Sequence, residues 1–126
     1  MHLYRTEYEA IVEAPIEELR EICHELSNIQ HGETRVYHAS KPAIPVEGLE
    51  HGFKLVITAD EGPFFAIWKS GVGLISRGHV PSLQAFSSAF DFQCDPVPGL
   101  HSHWDFGAYS EVVHDESLPI IVQIGQ

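Results

Sequence analysis

Only one stretch of the chain, residues 15–29, unambiguously repeats its apolar side chains at helical spacing; most of the remainder falls into short runs broken by Gly and Pro. Ile16, Leu19, Ile22, Cys23 and Leu26 recur at three- and four-residue intervals, which puts them on one face of a helix. Pro15 suits the first turn, Glu17 and Glu18 complement the positive end of the dipole, and Gly32 is a natural stop. Arg20, Glu21, His24 and Glu25 form the wet side. Ten-residue helices do not alternate with the strand-like runs, which argues against a doubly wound parallel sheet.

The strand-like runs are legible by alternation. Leu3 to Val12 reads as a half-buried strand with Tyr4, Thr6, Tyr8, Ala10 and Val12 on one face. Thr34 to Ala39 reads as a second strand, and Lys41 to Gly52 as a loop broken by two prolines and two glycines. Phe53 to Ala59 is the clearest strand; after a turn at Asp60 to Pro63, Phe64 to Trp68 is expected to return as its hairpin partner. Bulky groups on both sides of that return suggest a central strand covered on both faces. Val72 to Ile75 adds a third strand. Pro81 to Phe90 admits a second short helix over about 82–90 with Ser82 as cap, or a helix running into a strand. Asp95 to Gly99 reads as a loop, His101 to Val113 as a strand and Pro119 to Ile124 as a terminal strand. The expected fold is a single α+β domain spanning 1–126, with a mostly antiparallel β-sheet and one N-terminal amphipathic helix.

Charge bounds the partners. The formal net charge is -11, so attraction to nucleic acid or to an anionic membrane is disfavoured. Residues 1–33 carry a net -6, residues 34–77 a net +1, and the last 49 residues -6 with no Lys or Arg at all. No apolar run is long enough for a membrane helix, and no basic stretch precedes an apolar one near Met1, so the chain reads as cytosolic. Cys23 and Cys94, in no CxxC spacing, read as free thiols.

Chemistry concentrates in the cation-free third. In an extended chain His101, His103 and Asp105 project to one face, and two imidazoles with a carboxylate suit Zn or Fe with positions left for water or substrate. His79, Cys94 and His114 are further ligands to consider. The bland alternative is a set of surface or half-buried imidazoles bonded to backbone or to nearby carboxylates. No GxSxG elbow, phosphate loop or CxxC motif occurs, and Gly71 and Gly73 lack the third glycine of a dinucleotide fingerprint. A pocket for an apolar ligand beneath the sheet is compatible with the aromatics but has no specific signal. No cofactor is otherwise expected.

Trp104 and Asp105, with Glu111, Asp115 and Glu116, form a second pattern: an aromatic anchor inside an acidic collar, suited to a basic protein partner. The segments Gly99 to Asp105 and Asp115 to Val122 resemble the ends of small immunity-type proteins that neutralise secreted toxins, over less than a quarter of the chain. That resemblance implies a non-catalytic protein that masks its partner. The leading expectation is therefore a small acidic binding protein, with a metal-binding module or metal-dependent enzyme as the alternative.

Overall fold

The computed structural model describes residues 1–40, 52–93 and 96–126. It is an α+β arrangement of two four-stranded sheets and two helices. The expected loop at Lys41 to Gly52 lies outside the described residues except for Gly52, as do Cys94 and Asp95.

The first strand-like run divides. β1 (His2–Arg5) and β2 (Ala10–Ala14) form an antiparallel hairpin in which Leu3 pairs with Val12. Thr6 makes the turn: its N–H donates to the Glu9 carbonyl at 2.9 Å, and its hydroxyl accepts from the Glu9 N–H at 3.3 Å. A serine- or threonine-type turn needs neither Gly nor Pro, so the alternation seemed to run straight through it. α1 (Ile16–Ser27) lies within the expected span and buries Leu19, Ile22 and Leu26. β3 (Thr34–His38), β4 (Lys54–Ala59), β5 (Phe65–Lys69) and β6 (Gly73–Gly78) follow.

β4 and β5 are not hairpin neighbours. β6 inserts between them, parallel to β4 and antiparallel to β5, and the sheet order is β3-β4-β6-β5. Gly73 makes the insertion possible. At φ +129° it occupies backbone space that L side chains rarely use, and a Cβ there would meet the Lys54 carbonyl oxygen and lie 2.8 Å from the Lys54 nitrogen. β5 is consequently an edge strand, not a central one. Phe64, just before it, and its Ala66 are buried, whereas its Ile67 is 45% exposed.

α2 (Val80–Ser87) and a 3₁₀ turn (Ser88–Phe90) fill the expected second helix. Its cap is His79, not Ser82: the His79 Nδ1 accepts the Ser82 N–H at 3.1 Å, and Pro81 sits in the first turn. β7 (His101–Trp104) is shorter than expected, because residues beyond Trp104 turn away, and β8 (Ile120–Ile124) closes the second sheet in the order β1-β2-β8-β7.

Four of the six ladders are antiparallel, and each sheet is crossed once by a parallel pair, β2 with β8 and β4 with β6. The two sheets share one strand plan. In each, a hairpin supplies one half, the third strand in chain order takes the far edge, and the fourth slots in between. The sheet of residues 34–78 is nested within the chain between the two halves of the other. The core draws on both, with Trp104, Phe64, Phe86 and Leu83 from the sheets and α2 meeting Leu19 and Leu26 of α1.

Candidate functional site

Pairing with β8 decides which way each side chain of β7 faces. His101 lies opposite Gln123 and His103 opposite Ile121, while Ser102 and Trp104 lie opposite Val122 and Ile120 on the inner side. The two imidazoles are exposed side by side, their rings 5.1 Å apart at 76°. His101 Nδ1 lies 3.2 Å from the Gly99 carbonyl, a contact that places a proton on Nδ1 and leaves Nε2 outward. The cross-strand neighbour of Gln123 is Glu13, whose Oε2 accepts the Gln123 amide N–H at 2.7 Å.

Asp105 does not continue that row. It stands just past the end of β7, where its Oδ1 accepts the Ala108 N–H at 2.8 Å and its carbonyl accepts the Tyr109 N–H at 3.0 Å. The carboxylate caps a turn, as short acidic side chains do at such positions. Among the described residues, no group of three His, Cys, Asp or Glu side chains is placed to hold a metal ion. Of the further candidates, His79 has its Nδ1 engaged at the α2 cap, and Cys94 lies outside the described residues. Cys23 is a half-buried free thiol, its pKa raised by burial and by the Asp91 charge.

Trp104 is wholly buried, which removes it from the set of partner contacts. Its ring packs against Phe64 at 5.6 Å, Phe86 at 5.2 Å and Tyr109 at 4.5 Å, and its indole N–H has no partner. The parity of β7 explains the placement: if His101 and His103 face water, Trp104 must face the core.

Two other aromatics of this segment are exposed where Trp104 is not. Phe106 and Tyr109 are 41% and 38% exposed on the loop after β7, and Tyr109 rests on the buried Trp104 ring. In the same segment Asp105 is half-buried, and Glu111, Asp115 and Glu116 are exposed. The available signal was their position, two aromatics flanking Gly107 inside a segment with no cation.

The loop is pinned to the edge of β5. The Phe64 N–H donates to the Val112 carbonyl at 2.8 Å and the His114 N–H to the Phe64 carbonyl at 2.8 Å. The Ala66 N–H donates to the Ser117 hydroxyl at 2.9 Å and the Leu118 N–H to the Ala66 carbonyl at 2.9 Å. These bonds satisfy an edge that would otherwise invite another strand, and they hold the acidic residues in a defined place. His114 Nδ1 accepts the Glu116 N–H at 3.0 Å and lies 3.1 Å from Asp115 Oδ1. Its ring meets Phe65 edge-on at 5.2 Å.

The arrangement has no nucleophile beside a base and no converging acid pair among the described residues. What it offers is an acidic, partly aromatic surface whose later part is hydrogen-bonded to Phe64 and Ala66. Among the described residues, no helix is long and apolar enough to cross a membrane. Comparison with protein-family models, with curated proteins and with solved structures returns no match, so the chain's own geometry carries any functional reading.

Proposed function

We propose that this chain is a small acidic binding protein whose loop from Asp105 to Glu116 docks on a basic surface of a protein partner and covers it, in the manner of an inhibitor. The observation that carries this reading is the segment itself: Phe106 and Tyr109 stand exposed in a stretch that also carries Asp105, Glu111, Asp115 and Glu116 and whose later residues, from Val112 on, are hydrogen-bonded to Phe64 and Ala66. Aromatic anchors with few rotatable bonds bind well when they are held in advance, because less freedom is lost on docking. Residues 78–126 contain no Lys or Arg, so the field around the anchors has one sign and would steer a cationic partner in a salt-dependent way.

The test immobilises the protein and compares wild type with Glu111→Lys/Glu116→Lys and with Phe106→Ala. A basic protein retained at low salt, released by added salt and lost with both variants is the expected result. Capture that ignores the loop variants would overturn the reading.

The second reading is a metal-binding module. It rests on the His101 and His103 pair with the His101 tautomer set by Gly99, the kind of outer hydrogen bond that orients metal-ligating imidazoles. Asp105, already capping its turn, would have to leave Ala108 to complete a Zn or Fe site. Elemental analysis of wild type against His101→Ala/His103→Ala separates the two readings: stoichiometric metal lost in the variant selects the second.

A further inference from the structure

The inner sheet, built from residues 34–78, closes one of its edges and leaves the other open. Along β5 the edge is satisfied by residues 112–118, whereas β3 pairs only with β4 among the described residues. Which groups of β3 face outward follows from its ladder. The Ala39 N–H donates to the Phe53 carbonyl at 2.9 Å and the Ala59 N–H to the Glu33 carbonyl at 2.8 Å, so the odd-numbered residues bond to β4. Thr34, Val36 and His38 therefore turn their N–H and C=O groups away from the sheet. β3 has neither a Pro nor a bulge, devices that ordinarily blunt such an edge.

A row of carboxylates on α1 runs beside this edge. Glu18, Glu21 and Glu25 share one helix face at three- and four-residue spacing, and with Val36, Tyr37 and His38 they line a groove of about 220 Å³. Cations already sit at both ends of the row: the Met1 ammonium lies 3.2 Å from Glu18 Oε2, and Arg35 Nε lies 3.9 Å from Glu25 Oε2. Glu21, between them, is exposed and makes no ion pair among the described residues. On the other face of β3, Val36 heads an apolar row that continues through Val56 and Ile75 to Ile67, and it is 46% exposed.

We propose that this groove receives an extended basic segment of a protein partner, which adds to β3 as a fifth, antiparallel strand. Residues opposite Thr34, Val36 and His38 each exchange both main-chain hydrogen bonds with the edge. The residue opposite Val36 points to the apolar row and lengthens it, so an aliphatic side chain fits there. Its neighbour opposite Tyr37 points the other way, toward α1, where a Lys or Arg meets Glu21. A second copy's β3 suits the groove less, because its Arg35 is already held by Glu25 and Glu33 and its α1 would bring further carboxylates alongside. This site is separate from the loop of residues 105–116 and does not depend on the reading of that loop.

The probe is an acetylated, amidated peptide of about seven alternating Val and Lys residues, titrated to about 1 mM into ¹⁵N-labelled protein. The amide signals of Thr34, Val36 and His38 are expected to move, and their hydrogen exchange to slow at least about tenfold. The same peptide methylated on its Val nitrogens keeps its charge, loses the donors that face β3, and should do neither. Glu21→Lys should weaken binding at least about fivefold. Val36→Pro, which removes an outward N–H and no bond to β4, should abolish binding with the circular dichroism unchanged. An equal response to the methylated peptide means attraction by charge alone and overturns the strand pairing, as does an absence of change at Thr34, Val36 and His38. Shifts that fall instead on residues 105–116 and vanish with Phe106→Ala overturn this proposal and leave the loop reading standing. A concentration-dependent dimer that is lost in Val36→Pro gives the edge to a second copy and overturns it too.

Discussion

Replacing Ser117 by Ala removes one hydroxyl, and the structure gives the size of the consequence. That oxygen accepts the N–H of Ala66, a residue with no solvent exposure on the edge of its sheet, and Ser117 itself is 7% exposed. Alanine fits the space but leaves the amide without an acceptor. An orphaned buried donor costs about 1–3 kcal/mol, more than the bond contributes net, because the desolvation penalty of the amide is no longer offset. With an unfolding entropy of about 2.1 cal/mol/K per residue over 126 residues, that loss corresponds to a fall in Tm of roughly 4–11 °C. Scanning calorimetry measures it, with Ser110→Ala, an exposed position of the same loop, as the control expected to move Tm by less than about 2 °C. Amide exchange at Ala66 should quicken in the Ser117 variant. A Tm within about 1 °C of wild type and unchanged exchange would refute the reasoning, because water would then be reaching the β5 edge and the loop would not be pinned there.

Two other outcomes follow from buried groups. Tyr37 has its hydroxyl buried without a partner, and burial first, then the charges of Glu25 and Glu21 against an opposing Arg35, holds its pKa well above the ordinary tyrosine value. A raised folded pKa means that stability is fully present below the unfolded value of about 10 and is lost as pH climbs from there toward the folded value. Urea midpoints should therefore fall above pH 10 in wild type and fall less in Tyr37→Phe, which should be no less stable at pH 7; a phenylalanine variant weaker at pH 7 would show that the hydroxyl is bonded. Gly73→Ala should destabilise by at least 1–3 kcal/mol, about what overpacking costs, since its Cβ meets the backbone of Lys54 at a positive φ; an unchanged denaturation midpoint would mean that β6 does not lie against β4 at that point.

The parts of the fold legible in the sequence were those whose signal is local. The stripe of Ile16, Leu19, Ile22 and Leu26 identifies α1, and the apolar run Leu55 to Ile57 identifies β4, because each pattern is made by a single element. Strand partners are different. Asp60 to Pro63 has good turn chemistry, yet β5 pairs with β6 because Gly73 lets β6 approach β4 closely, a steric fact about two segments. The same division holds at the loop. Acidic residues 111, 115 and 116 were visible as charge, but Trp104 was misplaced as an anchor because its burial follows from the neighbours of β7, and Ser117 carries its role through one bond to a strand 51 positions away. His79 caps α2 although histidine is not among the residues that usually take that position, so the sequence points to Ser82 instead.

The nested strand plan sets a kinetic boundary on how this chain assembles. Residues 34–78 close their sheet among near neighbours, but the other sheet depends on Ala10 meeting Ile120 in a parallel ladder. Closing a flexible loop of that length costs on the order of 4 kcal/mol of chain entropy, about 1 kcal/mol more than a loop a third as long. An antiparallel hairpin could have avoided the expense; a parallel ladder across most of the chain cannot. The β2–β8 ladder is thus the contact with the largest closure cost in the fold, and prior assembly of the inner sheet would shorten the effective loop it must close.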